Sequence, residues 1–122
     1  MSTAPQPSAV PQPPVQPEAI RAALARVAPH LLDDFDRDRA ASTARARAEV
    51  SAGPLRTFTE AWAVEVAIAR HPETAARLHA LEARAAEVTD LGEARDIAAE
   101  ISRIRNAAAA EAGIRTVGGT AR

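Results

Sequence analysis

Apolar residues recur along this chain at intervals of three and four, and nowhere for a useful length at intervals of two. Ile20, Leu24 and Val27 fall at i, i+4 and i+7, the spacing that puts side chains on one stripe of an α-helix. Leu55, Phe58, Trp62, Val66 and Ala69 mark a second stripe, which Val64 and Ile68 broaden. So wide an apolar face on a short helix predicts the most buried helix of a bundle. Leu78, Leu81, Ala85 and Val88 repeat with 3-4-3 spacing, and Ala94, Ile97, Ile101, Ile104 and Ala108 with 3-4-3-4 spacing. Between His30 and Ser51 the pattern is thinner. Leu31, Leu32 and Phe35 supply an apolar start, and the remainder is mostly Ala, Arg and charged residues. Asp33 with Arg37 has the i, i+4 acid-to-base spacing that supports a helix there.

Breaks separate these stripes where helix ends need them. Pro17 suits a first helical turn, with Glu18 beside it at the positive end of the helix dipole. Pro29 limits that helix to about three turns. Gly53-Pro54 and His71-Pro72 divide the segments that follow. Asp90 with Glu93 has capping-box spacing, predicting a helix start at 91. Gly113 followed by Ile114 fits a Schellman stop, predicting a long helix over 91–113. The pattern therefore predicts an all-α domain over 18–114. It is a small bundle of four to five helices with a C-terminal αα-hairpin and disordered ends. Residues 1–17 hold six of the nine Pro and every Gln. They read as a disordered Pro-rich leader with no apolar periodicity to bury. Residues 115–122 read as a flexible tail.

Composition narrows the functional classes. With no Cys in 122 residues, disulfides, thiolate chemistry and Cys-based metal sites are excluded. All 15 basic residues are Arg, and the formal net charge is -1. That lacks the basic excess of a nucleic-acid binder, although Arg39, Arg45, Arg47 and Arg56 form a locally basic stretch. No apolar run approaches the roughly 18–20 residues of a membrane span, and the first residues lack the pattern of a signal peptide. A cytoplasmic location is expected.

Candidate chemistry is sparse. Asp34, Asp36 and Asp38 match the opening of a calcium loop, but its sixth and twelfth positions are Arg39 and Arg45, so the match fails. His71 and His79 lie eight residues apart, about 12 Å along a helix, too far to share a metal. No Ser or Thr is tied by spacing to a His, and no phosphate-binding loop occurs. No catalytic residue, cofactor or metal is expected. The aromatics Phe58 and Trp62 stand out in a chain with one other, Phe35. Each could bury about 150–250 Å², an upper bound of about 4–6 kcal/mol. They read as core anchors packed on Phe35 and Leu31, or as a partner surface, since Trp is enriched at binding hot spots.

The order of features resembles an uncharacterised family of small Ala/Arg-rich actinobacterial helical proteins. The resemblance rests on AIRAAL at 19–24, FDRDRA at 35–40, PLRTFTEAW at 54–62 and the HPE element at 71–77. Some members are encoded beside RelE/ParE-like toxins, which implies an antitoxin-like role. The family supplies no catalytic residues. The functional expectation is thus a non-catalytic protein–protein interaction module, antitoxin-like. The alternatives are a self-associating helical homodimer and, further off, a DNA-binding regulator using the Arg39–Arg56 region. The expected partner-binding residues are Trp62, Ile101, Ile104 and Ala108. The last three lie on a helix whose Ala107–Ala112 end is expected to overhang its neighbour.

Overall fold

The computed structural model describes residues 10–115. It contains five α-helices, no strand among the described residues, and one short 3-10 turn. The helices are α1 (Pro17–Val27), α2 (Leu32–Glu49), α3 (Gly53–Ala69), α4 (Pro72–Glu87) and α5 (Leu91–Glu111), with the 3-10 turn at Pro29–Leu31. The predicted all-α bundle with a C-terminal αα-hairpin is therefore the observed architecture. The expected flexible tail lies outside the described residues beyond Arg115, as does the leader before Val10.

Three helices begin with Pro in their first turn, at Pro17, Pro54 and Pro72. There the missing N–H leaves no broken bond. Of the other two, α2 continues from the 3-10 turn, and α5 is capped by Asp90, which accepts from the Glu93 backbone N–H at 2.8 Å. Only half of the expected capping box forms, because the Glu93 carboxylate turns instead to Arg84 of α4. The α5 stop is the predicted Schellman motif. Gly113 has φ +79°, and the Gly113 and Ile114 N–H groups donate to Ala110 and Ala109.

The sequence separation of the ion pairs fixes helix directions. Arg21–Asp36 and Glu18–Arg39 set α1 antiparallel to α2. Arg77–Glu100 and Arg84–Glu93 set α4 antiparallel to α5. Glu65–Arg105 and Arg70–Glu111 set α3 parallel to α5. α3 packs against α1, α2, α4 and α5, which makes it the centre that its broad apolar face predicts. Phe58, Ala63, Val66, Ala67 and Ile68 are all buried, with Ile20 and Leu24 of α1, Phe35 of α2 and Leu78 of α4 around them.

Several details differ from the sequence reading. The helix expected from His30 begins at Leu32, because Pro29 first winds one 3-10 turn. Arg37 pairs with Asp34, three residues back, rather than with Asp33. Ala85 is exposed, and the buried contacts of α4 are made by Leu78 and Leu81. Part of the leader expected to be disordered is docked. Val10 is 7% exposed within the core cluster, and the Arg70 guanidinium donates to its carbonyl at 2.8 Å. The pattern reading missed it because one apolar residue held by side-chain bonds from a distant helix has no period.

The α2–α3 turn holds a strained residue. Val50 has φ +50°, ψ 54°, and its own N–H and that of Ser51 close the end of α2 by bonding Arg47 and Ala46. This left-handed position suits Gly. A β-branched side chain there crowds the backbone. Val50 recovers nothing by burial, being 91% exposed. Val50→Gly should therefore raise stability by about 1 kcal/mol and the Tm by about 4 °C, read by thermal circular dichroism, whereas Val50→Ala, which keeps the Cβ, should gain much less. A Tm that falls on introducing Gly would show that the Val side chain stabilises the turn.

Candidate functional site

The expected partner residues are not gathered into one patch. Trp62 points from α3 towards α2. Its ring meets Phe35 edge-on at 5.3 Å, and Phe35 in turn lies 5.1 Å from Phe58 at a tilted angle. Such offset arrangements suit the ring quadrupoles. The indole Nε1–H reaches outward and donates to Asp38 at 2.8 Å. Phe35 and Phe58 are buried and Trp62 is half-buried. Trp62 is thus the outer member of an aromatic cluster: its ring serves the core and its polar edge meets solvent.

Ile101 and Ile104 are half-buried against the core from α5. Ala108 is 5% exposed, with Ala109 and Ala112 similarly covered. The expected overhang of Ala107–Ala112 therefore does not exist. α5 runs parallel to α3 to its end, where Glu111 is held by Arg70 and His71. Small Ala side chains let the two backbones approach closely, and the chain itself occupies the surface that was expected to be free.

Among the described residues, shallow grooves of about 390 Å³ each lie at three places. The first lies where α3, α4 and α5 meet, with Ile68, Ile104 and Ala108 beneath and His71, Arg103 and Glu111 at its rim. The second lies between α2 and α3 and is mixed, lined by Asp38, Ser42, Arg45 and Glu49 together with Pro54 and Phe58. The third is an open trough between α3 and α5. Its floor is Ala61, Val64, Ala109 and Ile114, and its edges carry Glu60 and Arg115. Of these floor residues, the sequence marked Val64 as a widening of the α3 stripe and Ile114 as a helix-stop contact. Ala61 and Ala109 carried no signal, because Ala occurs on every face of this chain.

Among the described residues no Ser or Thr hydroxyl bonds to a His; Thr43 and Thr59 donate back to carbonyls of their own helices. Nor is any group of three acidic or His side chains among them placed to hold a metal. No helix among them is long and apolar enough to cross a membrane. In the Arg39–Arg56 stretch, Arg39 pairs with Glu18 and Arg45 lies 4.0 Å from Glu49. Arg47 and Arg56 make no ion pair among the described residues. No family model matches the chain, nor does any curated protein or solved structure.

The cluster geometry makes Trp62 energetically divisible. Trp62→Phe should lose the bond to Asp38 and part of the indole's packing, about 1–2 kcal/mol. Trp62→Ala should cost about 3 kcal/mol by emptying the space beside Phe35. Urea denaturation of both variants reads the difference, and two near-neutral substitutions would place the ring outside the core.

The surface ion pairs set the acid response. Hydrogen bonds from Arg39, Arg21 and Arg77 hold the carboxyls of Glu18, Asp36 and Glu100 below the ordinary carboxylate range. A carboxyl whose folded pKa is depressed stabilises the fold above its unfolded pKa, and that contribution disappears as pH falls through the folded value. The Tm should therefore hold near neutrality and fall as pH drops below about 4.5. Added salt should shrink the difference, since these pairs are exposed. A Tm unchanged down to pH 2.5 would show that the pairs contribute nothing.

Proposed function

We propose that this chain is a non-catalytic protein–protein interaction module of the cytoplasm, working without cofactor or metal, and antitoxin-like in binding a small protein partner. The trough between α3 and α5 carries this reading. Its floor of Ala61, Val64, Ala109 and Ile114 is apolar and open, and it lies between two parallel helices. A trough of that shape suits the apolar stripe of an amphipathic helix, the common helix-in-groove mode. Arg115 at one edge favours an acidic flank on the incoming helix. The partner is therefore taken to present such a helix, and the toxin-encoding neighbourhood of the resembling family suggests where to find it.

The test is co-expression with the product of each gene adjoining its own, followed by measurement of the mass of the purified species. A complex is expected with one of them, and Ala61→Arg should abolish it while leaving the helical circular dichroism intact. If the chain alone forms a dimer that Ala61→Arg splits, the trough serves a second copy instead. If no adjoining product binds and the chain stays monomeric, the antitoxin-like reading falls.

A further inference from the structure

Another face of α3 is already occupied, by the chain's own leader. Val10 lies beside Arg70 and Gln12 beside Ala63, so the segment runs antiparallel to α3. Three anchors hold it. The Val10 side chain enters the core cluster, its carbonyl accepts from Arg70 Nε at 2.8 Å, and Gln12 Nε2 donates to the Ala63 carbonyl at 3.1 Å. Arg70 is a firm support, its side chain only 12% exposed and also paired with Glu111. Ala63 and Ala67 beneath are fully buried and small, which lets an extended backbone lie close. The grip is uneven, however. Gln12 Oε1 is buried with no hydrogen-bond partner among the described residues, and Pro11, Pro14, Val15 and Gln16 are exposed. Pro11, Pro13 and Pro14 pre-set an extended form, so the segment loses little freedom on docking. A preformed extended segment held by one apolar anchor and two directed hydrogen bonds is one that a peptide of the same sequence could replace.

We propose that this face of α3 is a binding groove for an extended segment of the pattern Val-Pro-Gln-Pro. The chain's own leader fills it in cis, and the leader of a second copy enters it when the cis segment is displaced. The groove selects its occupant by one aliphatic side chain, one backbone carbonyl for Arg70 and one amide donor for the Ala63 carbonyl. The tethered leader competes at a high effective concentration, so the groove of the unaltered chain is closed to peptide in trans. This surface is separate from the α3–α5 trough and stands independently of the function proposed for it.

The test uses the full chain and a synthetic peptide of residues 1–16, which stands for the leader of a second copy. Val10→Asp in the chain places a charge in the core pocket and releases the cis segment. By titration calorimetry, that variant should bind the unaltered peptide at least about tenfold more tightly than the unaltered chain does. A peptide carrying Val10→Asp should bind neither. Circular dichroism confirms that the variant keeps its helices; should it lose them, Val10→Ala, which only trims the anchor, replaces it with the same expected order of affinities. Equal binding to altered and unaltered chains, or no binding to a Val10 variant that keeps its helices, overturns the proposal.

Discussion

The burial of α3 on nearly all sides is the constraint on which the rest of this molecule depends. The chain has three aromatics and an abundance of Ala, so a core of ordinary thickness cannot be filled by large side chains. Close packing must come from short distances between backbones. Ala63, Ala67, Ala108 and Ala112, all buried in the core cluster, are small enough to allow such close approach. Phe35, Phe58 and Trp62 fill the space on the other side, where α2 lies. α1, α2, α4 and α5 all pack on α3, and a weakness there would loosen every other contact.

Electrostatics then selects among the ways of arranging helices around α3. Most ion pairs connect different helices: α1 with α2, α3 with α5, and α4 with α5. Exposed pairs contribute little energy each, yet they favour one set of helix directions over others. The Arg70 group has a wider reach. It joins the leader, the end of α3 and the end of α5 through Val10, His71 and Glu111. Three distant parts of the sequence therefore share one anchoring point.

The surfaces follow from the same economy of side chains. Where Ala lines two neighbouring helices and a larger residue stands at each end, a shallow trough is left, as between Ala61 and Ala109. Where small residues face an extended segment, the backbone of that segment can come close enough to be held by side chains, as Val10 and Gln12 are. Neither surface requires a catalytic group. The recognition proposed for each rests on shape, apolar contact and a few directed hydrogen bonds.

The sequence alone determined the elements of this protein. Three- and four-residue periodicity, Pro at helix starts, the Asp90 cap and the Gly113 stop are local features, and each rests on backbone geometry within a few residues. The central place of α3 was also legible, because a wide apolar stripe must be covered from several directions. Tertiary structure decided what covers each stripe. Ala109 lies off the stripe that marked Ala108 and carries the same side chain as the exposed Ala110 beside it, and only the parallel run of α5 on α3 buries one and leaves the other in solvent. Trp62 could serve core or surface by its chemistry, and the position of Asp38 on the neighbouring helix made it serve the core with its edge in water. Val10 lies in a segment with no period of its own, so its docking depended on Arg70, sixty residues away. Contacts of that range depend on how helices are placed in space, which local spacing along the chain does not encode.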